Sequence, residues 1–228
     1  MSWFAKLHET FIATGDYKMI LGGFRNTIII TLGALLIGVV IGSVIAVAKY
    51  FSEGVPSLKV VDVICDFYVT VIRGIPVVVL LLIFYFIVLT GVEGVPVAIL
   101  TFGINSGAYM AEVVRSGINA VDKGQMEAGR SLGLSKMQAM RKIVFPQAIR
   151  NILPAIGNEM IALLKETSVA GYVAVVDLTR AGTLVRNNTF DASHPLMLVA
   201  LVYLILVVGL TRLLKVFERK LARSDKRN

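Results

Sequence analysis

The feature that most limits what this chain can fold into is a set of long stretches without one Asp, Glu, Lys or Arg. They run from Asn26 to Ala48, Gly74 to Val92, Gly94 to Ala111 and Ala192 to Thr211. Each is close to the ~20 residues that carry an α-helix across the hydrocarbon core of a bilayer. A further stretch, Asn151 to Val176, is apolar apart from Glu159, Lys165 and Glu166. In lipid every backbone N–H and C=O must find a partner inside the protein, which leaves helices or closed barrels. None of the stretches alternates apolar and polar residues as a barrel strand does. The expectation is an all-α, polytopic membrane protein with about five transmembrane helices, forming a single domain over residues 1–228. The composition, 56% hydrophobic and 17% charged, leaves too little polar surface for a soluble domain of this size.

A net charge of +8 would suit a nucleic-acid binder, but its placement points to membrane topology instead. Seven Lys and Arg residues fall in Arg115–Arg150 and seven in Arg212–Arg227, whereas Thr90–Pro96 holds none and Asp177–His194 two. Cytoplasmic loops carry the Lys/Arg excess. Residues 115–150 and the basic tail 212–228 are therefore expected inside. An odd number of spans then places the N-terminus outside, with its weaker cluster of Lys6, Lys18 and Arg25. Residues 1–26 read as an interfacial segment, to which Trp3, Phe4 and Phe11 are suited. The opening residues lack a basic n-region, a short apolar core and a small-residue cleavage site, so the first span is expected to act as an uncleaved anchor. Cys65 is the single cysteine, which leaves no internal disulfide and no cysteine metal cluster.

The first helix is expected over Thr27–Ala48. Gly38 and Gly42, four apart in it, either let another helix approach closely or reflect the general frequency of glycine in membrane helices. Leu58–Arg73 is amphipathic, broken by Asp62, Asp66 and Arg73, and is expected to run along the inner interface. A second span then enters near Gly74-Ile75-Pro76 and ends at Thr90-Gly91; the third covers Val95–Val114. The polar segment 115–150 is too regular for a linker. Asp122-Lys123-Gly124-Gln125 and Ser135-Lys136-Met137-Gln138 both fit a capping box. Gly133 between them suits the left-handed residue that ends a helix. Leu132, Leu134, Met137, Met140 and Val144 supply apolar contacts at helical spacing. The pattern predicts two short helices around a glycine turn, stopped by Pro146, and a structured elbow of this kind reads as a docking surface more readily than as a spacer.

This elbow resembles the signature loop of ATP-binding-cassette importer permeases: Glu-Ala-Ala, three residues, Gly, nine residues, Ile, any residue, Leu, Pro. The matching positions are Glu127-Ala128-Gly129, Gly133, Ile143 and Phe145-Pro146, with both spacings kept and two departures, Gly129 and Phe145. Arg73-Gly74-Ile75-Pro76, Ala108-Tyr109-Met110-Ala111-Glu112, Gly124-Gln125-Met126-Glu127-Ala128, Phe145-Pro146-Gln147-Ala148 and Leu164-Lys165-Glu166-Thr167-Ser168 are similar to the polar amino-acid uptake family within that group. The resemblance covers about Gly22 to Arg219. It implies a permease subunit of the bacterial cytoplasmic (inner) membrane that imports a polar amino acid by alternating access. It also implies its partners: a second permease subunit, identical or a sister chain; an ATP-binding-cassette ATPase dimer; an extracytoplasmic amino-acid-binding protein; and membrane lipid, but no nucleic acid. Coupling to the ATPase would fall to Glu127, Ala128, Gly129, Gly133, Leu134, Ile143 and Pro146. ATP and Mg would sit on the partner, since this chain has no G-x-x-x-x-G-K-[ST] loop. No cofactor is expected in the chain itself, and it is expected to be a transporter subunit rather than an enzyme.

The charged residues inside the apolar stretches are the candidates for substrate contact. Glu159, beside Asn158 midway along the fourth span, would cost about 2.5–3.5 kcal/mol to insert, so it should face a partner or a water-filled cavity. It either meets the substrate's ammonium or a cationic side chain, or forms a structural polar contact. Lys165 and Glu166 shape the pathway or pair with neighbours. Glu112 and Arg115, three apart on a helix, can pair with each other. Asn105 and Tyr109 lie on much the same face as Glu112, which makes that face the alternative pathway lining. Arg73 is expected to snorkel to lipid phosphates. In members of the resembled family that accept neutral or acidic amino acids an amide often stands in place of Glu159, so the carboxylate leans toward arginine, lysine or histidine. No catalytic or metal residue is assigned: His8 and His194 lack ligand spacing. Ile104-Asn105-Ser106-Gly107 is similar to the serine turn of intramembrane proteases but has Ile104 where that turn needs glycine. A passive channel is the rival class, and it has no use for a motor-docking elbow.

Overall fold

The computed structural model describes residues 11–12, 14–52 and 55–225, with side chains to residue 221. Trp3, Phe4, Lys6, His8, Lys226 and Arg227 lie outside these residues, as does the Arg223 side chain. The described chain is helical, without a strand. In order, α1 spans Tyr17–Ser52 and α2 spans Lys59–Gly74 after a 3₁₀ turn at Pro56–Leu58. Next come α3 (Val77–Ile83), continued by a π-helical Phe84–Val88, and α4 (Gly94–Asn119). The elbow holds α5 (Lys123–Ser131) and α6 (Lys136–Ala139), followed by a π turn at Met140–Val144. Beyond it lie α7 (Phe145–Glu166), a 3₁₀ stretch at Thr167–Val173, α8 (Leu178–Thr189) and α9 (Ser193–Asp225).

Among the described residues three helices are long and apolar enough to cross a membrane, within Tyr17–Ser52, Gly94–Asn119 and Ser193–Leu221. They become four if Pro56–Gly74 and Val77–Val88, broken at residues 75–76, make one span. The helix needed for the expected fifth crossing is α7. Its 22 residues reach about 33 Å, but Arg150, Asn158, Glu159 and Lys165 leave it short of the apolarity of the others. Such a helix can sit among neighbours that cover its polar groups rather than in lipid. By contrast α1 is apolar all round and exposes Leu21, Leu32, Leu36, Val40 and Val44, the pattern of a helix bathed in hydrocarbon.

The chain folds as two compact units, each drawn from several stretches: 1–36, 75–103 and 160–211 in one, and 37–74, 104–159 and 212–228 in the other. In the first unit Ile30, Leu81, Phe102, Leu163 and Val173 form one buried cluster, and Ile20, Leu178, Ala181, Val185 and Val199 a second. The irregular backbone between α7 and α8 would strand polar groups in an apolar interior unless α1 supplied partners. It does: Asn26 Nδ2 donates to the Val176 carbonyl at 3.0 Å, and the Thr27 hydroxyl accepts the Leu178 N–H at 3.1 Å. Gly23 makes that approach possible, since a Cβ there would lie 2.6 Å from the Asp177 carbonyl oxygen.

In the second unit Ala46, Val114, Val144, Ala148 and Ile152 form the core. Of the two readings of Gly38 and Gly42, close approach is the one observed. A Cβ on Gly38 would sit 2.6 Å from Ser106 Oγ, and one on Gly42 would strike Met110 and lie 2.7 Å from the Ala111 nitrogen. The acidic residues of α2 turn toward the end of α1, where Lys49 Nζ bonds Asp66 and lies 3.7 Å from Asp62. The opposite side of α2 leaves Val60, Val63, Ile64 and Phe67 exposed.

Candidate functional site

The elbow is built by local chain chemistry. Asp122 caps α5, its Oδ1 accepting the Gly124 N–H at 2.6 Å. The expected capping box is not completed there, because Gln125 turns its Oε1 to Gln147 Nε2, 3.3 Å away on α7. At the other end the Leu134 N–H reaches the Gly129 carbonyl and the Gly133 N–H reaches that of Arg130. This pair of bonds is the Schellman ending, and it needs a left-handed residue; Gly133 supplies it at φ 84°. The second box is complete: Ser135 Oγ accepts from the Gln138 N–H at 3.2 Å, and Gln138 Oε1 from the Ser135 N–H at 2.8 Å.

Two further expectations change here. Pro146 does not stop the second elbow helix but sits in the first turn of α7, where a missing N–H costs least. The preceding π turn, with the Phe145 N–H bonded five residues back to the Met140 carbonyl, gives the ring room. The apolar contacts also divide. Val144 is buried and Met140 packs on the core of its unit, whereas Leu132 is 82% exposed and Met137 54%. Glu127 and Ala128 are exposed, while Gly129 is buried against Ile143 and Ala139. Leu134 and Ile143 are half-buried, and Gly133 and Pro146 are exposed. The elbow thus presents Glu127, Ala128, Leu132 and Met137 outward on a frame held by caps and by the contact at Gly129.

The candidate substrate residues differ in burial and in partners. Asn105 is buried. Tyr109 lies beneath Arg73, whose guanidinium is 5.0 Å from the ring centroid, a favourable cation–π geometry that gives Arg73 a protein partner. Glu112 pairs with Arg115 at 2.9 Å. Asn158 is exposed. Glu159 is half-buried, and the Ser106 hydroxyl donates to its Oε1 at 2.8 Å. Ser106 itself is fully buried. Sequence reasoning weighed Ser106 only as a possible nucleophile, and no local signal links residues 53 positions apart. Glu159 and Asn105 therefore share the α4 neighbourhood through Ser106. Tyr109 and Glu112 are engaged further along α4 with their own cations. Two other polar groups take partners in the fold: Asp177 caps α8 through the Thr179 and Arg180 N–H groups, and His194 Nδ1 lies 2.6 Å from Asp191 Oδ2.

Known proteins agree with this architecture. Residues 38–223 match the family described as the binding-protein-dependent transport system inner membrane component. A putative glutamine transport system permease protein of Rickettsia typhi is 35% identical, over 89% of this chain and 92% of its own. The arginine transport system permease protein ArtQ of Bacillus subtilis is 36% identical, over 90% of this chain and 94% of its own. A solved amino-acid ABC transporter determined with histidines superposes with a TM-score of 0.84 at 36% identity, over 92% of this chain and 98% of that one. The inward-facing MetNI methionine transporter shares the fold at TM-score 0.77 and 22% identity, over 90% of this chain. The chain belongs to the binding-protein-dependent transport system inner membrane components and is a permease subunit of an amino-acid ABC importer.

Proposed function

We propose that this subunit carries a cationic amino acid through the membrane by alternating access, and that Glu159 meets the substrate's positive charge. The observation that carries this reading is the state of that carboxylate. Ser106 donates to it, yet among the described residues no Lys, Arg or His pairs with it. A carboxylate at such depth is stabilised by a cation and repelled by a second carboxylate. Among the relatives, one is named for arginine and others for glutamine, which makes a neutral polar substrate the outcome to distinguish. The elbow, with Glu127, Ala128, Gly129, Gly133, Leu134, Ile143 and Pro146, docks on a separate ATPase dimer that binds ATP and Mg. A second permease subunit and an extracytoplasmic binding protein complete the complex. The N-terminus lies outside and the C-terminus inside, as the Lys/Arg bias requires.

The test is uptake by Glu159→Gln in vesicles holding the whole complex and its binding protein. Glutamine can still accept the Ser106 bond, so the fold around it is kept. Arginine uptake should fall roughly tenfold or more, the cost of losing one charge-assisted contact, while glutamine uptake stays unchanged or rises. Unchanged arginine uptake, with the complex assembled, would show that Glu159 is a structural group.

A further inference from the structure

The second unit holds an apolar slot of about 360 Å³ for which transport of a polar amino acid has no use. Val39, Ser43, Val47 and Tyr50 of α1 line it at successive turns, and Phe145, Ile149, Ile152 and Ile156 of α7 do the same. Met110, Val114 and Ile118 of α4, again one turn apart, form its third side. Stripes at this spacing run along the helix axes, so the slot is long rather than round. From Val39 to Phe51 the α1 stripe rises about 18 Å. One leaflet of a hydrocarbon core is about 15 Å deep. Among the described residues the Ser43 hydroxyl and the Tyr50 phenol are the only polar side chains lining it, and neither supplies a charge to pair with an amino acid's ammonium or carboxylate.

At the Tyr50 end the chemistry changes. Lys136, at the start of α6, holds its Nζ 5.4 Å from the centroid of the Tyr50 ring. Among the described residues no carboxylate pairs with it. Arg141 and Lys142 follow on the exposed side of the π turn. A smaller polar pocket adjoins the slot through the shared residues Tyr50 and Ile118. Its own cations are already engaged, Lys49 with Asp66 and Asp62, and Arg115 with Glu112. The slot therefore pairs a leaflet-deep apolar channel with a cationic mouth.

We propose that the slot binds one acyl chain of an anionic phospholipid from the leaflet beside the elbow, with the phosphate held by Lys136 against Tyr50. Basic residues at a bilayer surface attract anionic headgroups, and a zwitterionic lipid would leave the mouth without net counter-charge. An unbranched chain matches a slot that continues over three turns or more along its α1 and α7 walls. Since α7 continues directly from the elbow, the bound chain braces the elbow's root.

The experiment is native mass spectrometry of the detergent-purified importer complex titrated with phosphatidylglycerol and with phosphatidylcholine. The wild type should retain phosphatidylglycerol preferentially. Lys136→Gln, on an exposed side chain, should cut that preference roughly fivefold, the effect of one cation at a lipid surface. Ser43→Trp, whose indole fills the channel, should abolish retention of both lipids. If that variant fails to assemble, Lys136→Gln decides alone. Equal retention of the two lipids by the wild type, or an unchanged preference in Lys136→Gln, overturns the proposal. So does a Val47→Cys variant that crosslinks efficiently to a second copy of the chain, because a protein neighbour would then occupy the slot.

Discussion

Replacing Gly133 separates two reasons for keeping a glycine in the elbow. Its φ is 84°, and a Cβ added there would have nothing within 4 Å. Space is free, so the whole cost of a side chain is conformational. An L-residue in the left-handed region costs roughly 1–2 kcal/mol. Asparagine tolerates that region better than other residues, and a β-branched side chain tolerates it worst. The expected order of damage is Asn, then Ala, then Val, although Asn is bulkier than Ala. At about 1 kcal/mol, Gly133→Ala should speed exchange of the Leu134 amide hydrogen, which closes the turn on Gly129, by roughly fivefold. Gly133→Val should remain in the membrane yet copurify poorly with the ATPase and fail to transport. Hydrogen exchange on the assembled complex, with the copurified ATPase measured alongside, reads both effects. If Asn damages the elbow more than Ala, the position is sensitive to volume and the left-handed turn is not the reason for glycine.

Gly42→Val should lower the unfolding midpoint in detergent by the equivalent of about 1–3 kcal/mol, because its new atoms meet Met110 and the Ala111 backbone. Gly22→Ala, which meets nothing within 4 Å and puts a better helix former into α1, should raise it by the equivalent of up to about 1 kcal/mol, and a loss equal to that of Gly42→Val would refute the close approach of α1 and α4. Ser106→Ala removes the donor to Glu159 and should cost about 1 kcal/mol; an unmoved midpoint would mean that the carboxylate is satisfied elsewhere. A cysteine at exposed Glu93 should be labelled from outside intact cells, with buried Cys65 giving little background, and labelling only after permeabilisation would invert the topology.

What was legible in the sequence was local. Charge-free runs reveal α1, α4 and α9 because hydrocarbon forbids an unpaired charge over some twenty consecutive residues. The elbow was legible because a cap, a left-handed glycine and a capping box each act within four residues. The rest depends on partners distant in the chain. Nothing near Thr27 announces that its hydroxyl accepts from Leu178, 151 residues on. Gln125 looked like the second half of a box because its competitor, Gln147, lies on another helix. Pro146 read as a stop because the π turn ahead of it, which makes room for the ring, has no local signature in the sequence. The candidate substrate residues stand out in the sequence as polar groups in apolar stretches, but their neighbourhoods depend on contacts such as that of Ser106 with Glu159.

The departure at Gly129 explains how the elbow holds its shape. The signature it resembles has alanine there, yet in this chain a Cβ would lie 2.8 Å from Ile143 Cδ1 and 3.1 Å from Ala139 Cβ. The tip of Ile143 could swing aside, but Ala139 has no rotamer to change, so an alanine would push α5 off the second half of the elbow. Glycine inside a helix gives up about 1 kcal/mol relative to alanine. That loss falls on α5, a helix of nine residues, too short to be stable by propensity alone. Asp122 at one end and the Schellman turn at the other offset it, a good N-cap contributing about 1 kcal/mol. The contact at Gly129 then needs no large apolar side chain of its own, and Leu132 and Met137 remain free to face outward. The elbow can be apolar and exposed in this protein because its frame is fastened by caps and one close backbone contact, not by burying the residues it displays.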